Sequence, residues 1–220
     1  MGNLVLNGST SGAITISPPL IAGTNTLTLP AVTDTVTCNA AAQTLTNKTL
    51  TSPTINTPTM GGSVLTATGL VATTSGTTIT LATGIPSWAR QVSIVWNGVG
   101  TGSGSNFLIQ LGYGGTPTYV TSGYNTVCAG YIVAQFTTAF GLGHDTAAHT
   151  YFGVYQLFET DTSTNTWAGS GAFGIKTTTA NIMNGGGSIA LGASNTLTAI
   201  RLTTVSGDTF NAGSINVFYG

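Results

Sequence analysis

Gln91-Val92-Ser93-Ile94-Val95-Trp96-Asn97 places Val92, Ile94 and Trp96 on one side of an extended chain and Gln91, Ser93 and Asn97 on the other. Successive side chains of a strand point to opposite faces, so this period of two marks a strand with one face in a core. Similar short runs follow the same logic: Thr78-Ile79-Thr80-Leu81, Phe107-Leu108-Ile109-Gln110-Leu111, Tyr131-Ile132-Val133-Ala134, and residues 151–159, 166–175, 197–204 and 214–219. Gly, Asn, Ser and Asp separate them, and no segment carries the 3.6-residue period of an amphipathic helix. The expected fold is therefore all-β, a β-sandwich of jelly-roll type. Its inward set is read as Val92, Ile94, Trp96, Phe107, Ile109, Leu111, Val154, Phe158, Ile200, Leu202, Ile215 and Val217. Gly98-Val99-Gly100-Thr101-Gly102-Ser103-Gly104 is read as a loop.

Outside these strands the composition changes. All the Trp, Tyr and Phe residues lie between Trp88 and Tyr219, so the first 87 residues lack the large rings that supply much of a core's buried area. Three segments are expected: an N-terminal segment over 1–40, a Thr- and Pro-rich stem over 41–63, and a globular head over 64–220. In the first, Ala13-Ile14-Thr15-Ile16 and Thr26-Leu27-Thr28-Leu29 alternate as short strands. Such strands without an aromatic core suit a segment that orders on a partner. From the stem onward, Leu45, Leu50, Ile55, Met60, Leu65 and Leu70 recur every five residues, the first four among Thr and Asn with Pro53 and Pro58 excluding a helix interior. One large apolar group in five does not offset the entropy of ordering the rest in a single chain. The stretch is then either a Thr-rich linker or an element ordered by self-association, in which three copies wound about an axis bring each Leu or Ile against its symmetry mates.

Charge narrows the function classes. Only 4% of the 220 residues are charged and the formal net charge is −1, which leaves no basic stripe for nucleic acid. No run of 18 apolar residues occurs and the start carries no signal-peptide pattern, so neither membrane insertion nor export is expected and assembly is assigned to the cytoplasm. Cys38 and Cys128 are far apart and read as packing residues.

Ile85-Pro86-Ser87-Trp88-Ala89-Arg90-Gln91-Val92 with Ser105-Asn106-Phe107-Leu108-Ile109-Gln110-Leu111-Gly112 opens a longer match. Thr162-Ser163-Thr164-Asn165-Thr166-Trp167, Ile200-Arg201-Leu202-Thr203-Thr204-Val205 and Asp208-Thr209-Phe210-Asn211-Ala212-Gly213-Ser214-Ile215-Asn216-Val217 continue it. Together these segments resemble the C-terminal domain of tailed-phage and prophage fibre proteins. Gly23-Thr24-Asn25-Thr26-Leu27-Thr28-Leu29-Pro30 and Gln43-Thr44-Leu45-Thr46-Asn47-Lys48-Thr49-Leu50 resemble phage fibre stems. The chain departs from the pattern at its end, Tyr219-Gly220, and over residues 123–149. The resemblance implies a homotrimeric fibre of the virion, and because catalytic constellations are scarce in the sequence no catalytic step is expected. Its N-terminal segment would dock on another virion protein, and its head would bind a host-surface glycan. A head or tail decoration protein without a receptor is the other reading.

Candidate contacts for a sugar are Tyr113, Tyr119, Tyr124, Asn125 and Trp167, rings and an amide placed in or beside loops. Leu45, Leu50, Ile55 and Met60 are the candidate trimer-axis residues. Glu159 and Asp161 are the only acids close in sequence, and are read as a solvated strand end rather than a glycosidase pair. His144-Asp145-Thr146-Ala147-Ala148-His149 holds weak metal-ligand candidates in His144 and His149, read first as exposed loop histidines. Gly169-Ser170-Gly171-Ala172-Phe173-Gly174 fits G-x-G-x-x-G, but the sequence after it continues as a strand where a dinucleotide loop needs a helix. No cofactor is expected.

Overall fold

The computed structural model describes residues 4–7, 9–17, 21, 24, 49, 51, 65–130, 133–144, 146–176 and 182–220. Of the five-residue period, Leu45, Leu50, Ile55 and Met60 lie outside them, as do Cys38, Asp145 and the expected strand at 26–29. The chain divides into two units, Met1–Thr57 and Pro58–Gly220. In the first, β1 (Leu4–Asn7) pairs antiparallel with β2 (Ala13–Ile16).

Among the described residues of the second unit all regular elements are strands. They are β3 (Thr66–Ala72), β4 (Thr78–Thr83), β5 (Gln91–Thr101), β6 (Phe107–Tyr113), β7 (Thr118–Tyr119), β8 (Asn125–Ala129) and β9 (Ala134–Phe136). β10 (Phe140–Leu142), β11 (Thr150–Asp161), β12 (Thr166–Lys176), β13 (Ile182–Ala190), β14 (Leu197–Thr204) and β15 (Phe210–Tyr219) complete the set. One sheet has eight strands in the order β3-β15-β5-β11-β12-β13-β8-β9. The other has five, β10-β6-β14-β4 with β7 on β6, and every pairing in both is antiparallel. The all-β expectation is met.

Residues from both sheets share one core. Phe107 of β6 meets Trp96 of β5 at a ring-centroid distance of 5.1 Å and Tyr151 of β11 at 5.2 Å, both edge to face. Trp96 also meets Phe173 of β12 at 4.9 Å. These offset geometries favour contact between the positive ring edge and the negative face.

Ten of the residues read as inward are buried, among them Val92, Ile94, Trp96, Ile109, Ile200 and Val217, but Val154 and Phe158 are 38% and 45% exposed. In β11 the buried set is Tyr151, Tyr155 and Leu157, so the expected phase is off by one residue. A one-residue slip turns every side chain to the other face, and β11 has large apolar groups on both faces. The glycine-rich loop at 98–104 is also corrected: its first four residues belong to β5. Gly98 takes φ of 70° where the register to β11 shifts. The extra residue there moves the buried positions from Val92, Ile94 and Trp96 to Val99 and Thr101, so one strand keeps its inner face through a bulge. Strands β3, β7, β8, β10 and β13 were not expected, and the strand expected at 131–134 is found as Ala134–Phe136, with Tyr131 and Ile132 outside the described residues.

Candidate functional site

The five residues read as sugar contacts do not converge. Trp167 is 2% exposed and belongs to the core, and Tyr124 is equally buried. Both are therefore corrected to packing residues. In β12 the alternation turns Trp167 and Phe173 inward and leaves Ser170, Ala172 and Gly174 outside. The Tyr124 ring meets Phe140 edge to face, its hydroxyl accepts the Leu111 N–H at 2.9 Å, and burial pushes its pKa up to about 12. Asn125 is exposed and pairs with Ser188 at the end of β8. Tyr113 and Tyr119 are partly exposed on the five-stranded sheet, where Tyr113 pairs with Thr118 and Tyr119 with Gly112.

The acids and histidines do not assemble a catalytic centre among the described residues. Glu159 pairs with Arg90 at 3.1 Å with its side chain 3% exposed, a correction to the solvated strand end expected for it. Asp161 is fully exposed and accepts hydrogen bonds from the Ser163 N–H and hydroxyl and the Thr164 hydroxyl, which hold its carboxyl below the usual range. The two carboxylates thus serve an ion pair and a turn, with a register shift between them. His144 is not an exposed loop residue: it is 2% exposed, and its ring packs against Phe107 at 4.7 Å and Tyr151 at 4.8 Å. No three His, Cys, Asp or Glu side chains among the described residues could hold a metal ion. Cys128 is buried with a free thiol whose pKa is pushed up by that burial. Among the described residues no helix is long and apolar enough to cross a membrane.

The G-x-G-x-x-G match lies inside β12. Gly169 and Gly171 lie against Tyr155 of β11: a Cβ would stand 2.7 Å from its Cε1 atom at Gly169 and 2.6 Å from its Cδ2 atom at Gly171. The glycines make room for a buried tyrosine and cradle no phosphate.

The outer face of the eight-stranded sheet carries a feature that sequence reasoning missed. Two cross-strand rows run over β11, β12, β13 and β8: Val154, Ala172, Asn184 and Ala129, then Gln156, Ser170, Gly186 and Val127. The two middle strands contribute small groups at three of their four positions, so the face sinks between Val154 and Gln156 of β11 and Val127 of β8. The result is an open trough of about 670 Å³. Gln156, Ser170 and Asn184 supply amide and hydroxyl groups, Val127 and Val154 supply apolar surface, and no lining residue is charged. Phe152 and Phe158, outward neighbours of Val154 and Gln156 along β11, are 37% and 45% exposed. Neutral donors and acceptors beside apolar patches match the alternating hydroxyls and C–H faces of a sugar, while no group in the trough can carry a proton as a general acid or base.

A third cluster lies on the five-stranded sheet. Gln110 is 5% exposed and its Nε2 donates to the Thr138 carbonyl at 3.1 Å, which fixes the amide. Its Oε1 accepts the Arg201 Nε–H at 2.8 Å, and the guanidinium carbon stands 4.3 Å from the centre of the Tyr119 ring. Gly112, opposite Tyr119, leaves room for that ring, since a Cβ there would lie 2.9 Å from it. Of the residues expected to touch a ligand, Tyr119 is the one the structure places beside a cation. No known protein family, curated protein or solved structure matches the chain.

Proposed function

We propose that this chain is a short trimeric phage fibre whose head, a β-sandwich of jelly-roll type over 64–220, binds a neutral host-surface glycan in the trough of the eight-stranded sheet and does not cleave it. The observation that carries this reading is the trough itself: an open, uncharged depression with amides and a hydroxyl over a floor of small residues. Segment 1–40 docks on another virion protein. The 41–63 stem sets Leu45, Leu50, Ile55 and Met60 on the threefold axis, which lets each apolar residue bury against two symmetry mates. The protein is assembled in the host cytoplasm and resides in the virion, with no cofactor, no nucleic-acid contact and no membrane insertion.

A second reading draws on the same face. Val127, Phe158, Ile182 and Leu70 are 47%, 45%, 66% and 72% exposed on the eight-stranded sheet, and apolar groups on one sheet face also suit a flat contact with another virion protein, whose association would remove their area from water. In that case the chain is a capsid or tail decoration protein that spaces or stabilises the particle.

The purified protein, incubated with bacterial cells and with their isolated surface polysaccharide, separates the two. Expected are a mass of three chains in sedimentation equilibrium, saturable binding to the polysaccharide, and no release of reducing ends. A folded trimer that binds neither cells nor polysaccharide moves the assignment to decoration, and reducing ends released over time make the protein an enzyme.

A further inference from the structure

Arg201 is an unusual investment for this sequence. The chain has only four lysines and arginines, and this one sits in mid-strand on β14, between β6 and β4 of the five-stranded sheet. The other described arginine, Arg90, has a carboxylate partner in Glu159. Among the described residues Arg201 has none: the Asp208 carboxylate accepts the Ser105 N–H, Asp161 holds its own turn, and Glu159 belongs to Arg90. The contacts it does make hold the guanidinium still. Gln110 takes the Nε–H, and the Tyr119 ring lies against the cation. Gln110 is itself tied to the Thr138 carbonyl, so the plane of the guanidinium is set by a buried group that cannot rotate freely.

That arrangement uses one of five N–H donors. The four on Nη1 and Nη2 meet no acceptor among the described residues, and they form the edge that pairs with two oxygens of a carboxylate or phosphate. Holding the fork in advance removes much of the side-chain entropy that a free surface arginine loses on binding. Stacking on an aromatic ring stabilises the cation without neutralising it. The strand register supplies hydroxyls beside it: Thr80 of β4 stands directly opposite Arg201, and Thr203 is its next outward neighbour on β14. Thr80 is exposed and Arg201 and Thr203 are partly so, which leaves the cluster open to solvent.

From this geometry we infer that Arg201, with Thr80 beside it and Gln110 and Tyr119 as positioning residues, is a binding subsite for the oxyanion of an acidic sugar, a carboxylate or phosphate group whose neighbouring hydroxyls meet the threonines. The subsite lies on the five-stranded sheet and does not depend on whether the trough of the other sheet takes a glycan.

The test titrates the full-length protein at low salt with galacturonate, with galactose as the uncharged twin, and with galactose 6-phosphate. Expected is binding of at least one acidic sugar at least tenfold tighter than galactose, weakened as salt is raised because the contact is a partly exposed ion pair. Galacturonate alone identifies a carboxylate ligand, galactose 6-phosphate alone a phosphate, and both an unselective oxyanion site. Arg201→Lys keeps the charge but loses the planar fork, and is expected to weaken binding tenfold or more. Arg201→Lys leaves Gln110 Oε1 without its donor and can loosen the fold, so a second measurement uses the unaltered protein. In its ¹⁵N spectrum the backbone signals of Thr80, Arg201 and Thr203 shift on adding the acidic sugar and stay in place with galactose. Equal affinity for charged and neutral sugars, or shifts confined to other residues, overturns the assignment.

Discussion

Trp167→Ala destabilises the head by about 3–5 kcal/mol, the range for deleting a large buried ring from a well-packed core. For a unit of this size that lowers the melting temperature by roughly 10 °C. Trp167 is 2% exposed in the core shared by the two sheets, and its pairing neighbours Glu159 and Ile189 flank it on β11 and β13. The backbone around the cavity left behind is held in place, because at Trp167 β12 is paired on both sides. Trp167→Phe is the companion variant. The indole N–H meets no acceptor among the described residues, so the phenyl ring loses area but no hydrogen bond, and the cost falls below that of alanine. Differential scanning calorimetry reads both. A Trp167→Ala protein that melts with the wild type but no longer binds polysaccharide would return Trp167 to the surface as a ligand contact.

Gly171→Ala is the second large effect, about 2–3 kcal/mol of destabilisation from a single added carbon. Its Cβ would lie 2.6 Å from the Tyr155 ring and also 2.6 Å from the Val154 carbonyl oxygen. The ring could shift, but the carbonyl belongs to the ladder between β11 and β12, so relief requires moving a paired strand. The control is the adjacent residue. Ala172 is exposed on the opposite face, and Ala172→Ser changes stability by less than about 0.5 kcal/mol, as surface substitutions away from special features do. Equal melting temperatures for Gly171→Ala and Ala172→Ser would mean that Tyr155 does not lie across β12 as described.

The strands with one apolar face were legible. In β5, β14 and β15 the alternation of Val, Ile, Leu and Trp with polar residues marks the strand and, over residues 92–96, 200–202 and 215–217, its phase, whereas β6 was legible from Phe107, Ile109 and Leu111 although both of its faces are buried. β11 was legible as a strand but not in phase, because Tyr151, Phe152, Val154, Tyr155, Leu157 and Phe158 put large apolar groups on both faces. β13 was hidden by Gly185-Gly186-Gly187, which reads as a turn. It forms a strand because its neighbours come close: a Cβ at Gly185 would collide with the Gly141 carbonyl of β10.

The sites were less legible than the fold for a related reason. The trough is made by what Ala172, Ser170 and Gly186 lack, and small residues announce no chemistry until the strands that flank them are known. Four rings and an amide next to turns drew attention to five positions, of which Tyr119 has a guanidinium over its ring. Its partner Arg201 pairs with Gln110 across 91 residues of sequence, a distance over which no local pattern operates. The proposed trimer-axis residues Leu45, Leu50, Ile55 and Met60 are read from their five-residue period in the sequence.

The most direct test of the proposed glycan trough is the affinity of wild-type protein and of Ala172→Trp for the polysaccharide isolated from the host surface. The indole would fill the middle of an exposed depression of about 670 Å³ without entering the core. The result predicted is a loss of binding of at least tenfold with an unchanged melting temperature and an unchanged three-chain mass. Undiminished binding by a folded Ala172→Trp trimer would contradict the account, since the glycan would then be held somewhere other than the trough.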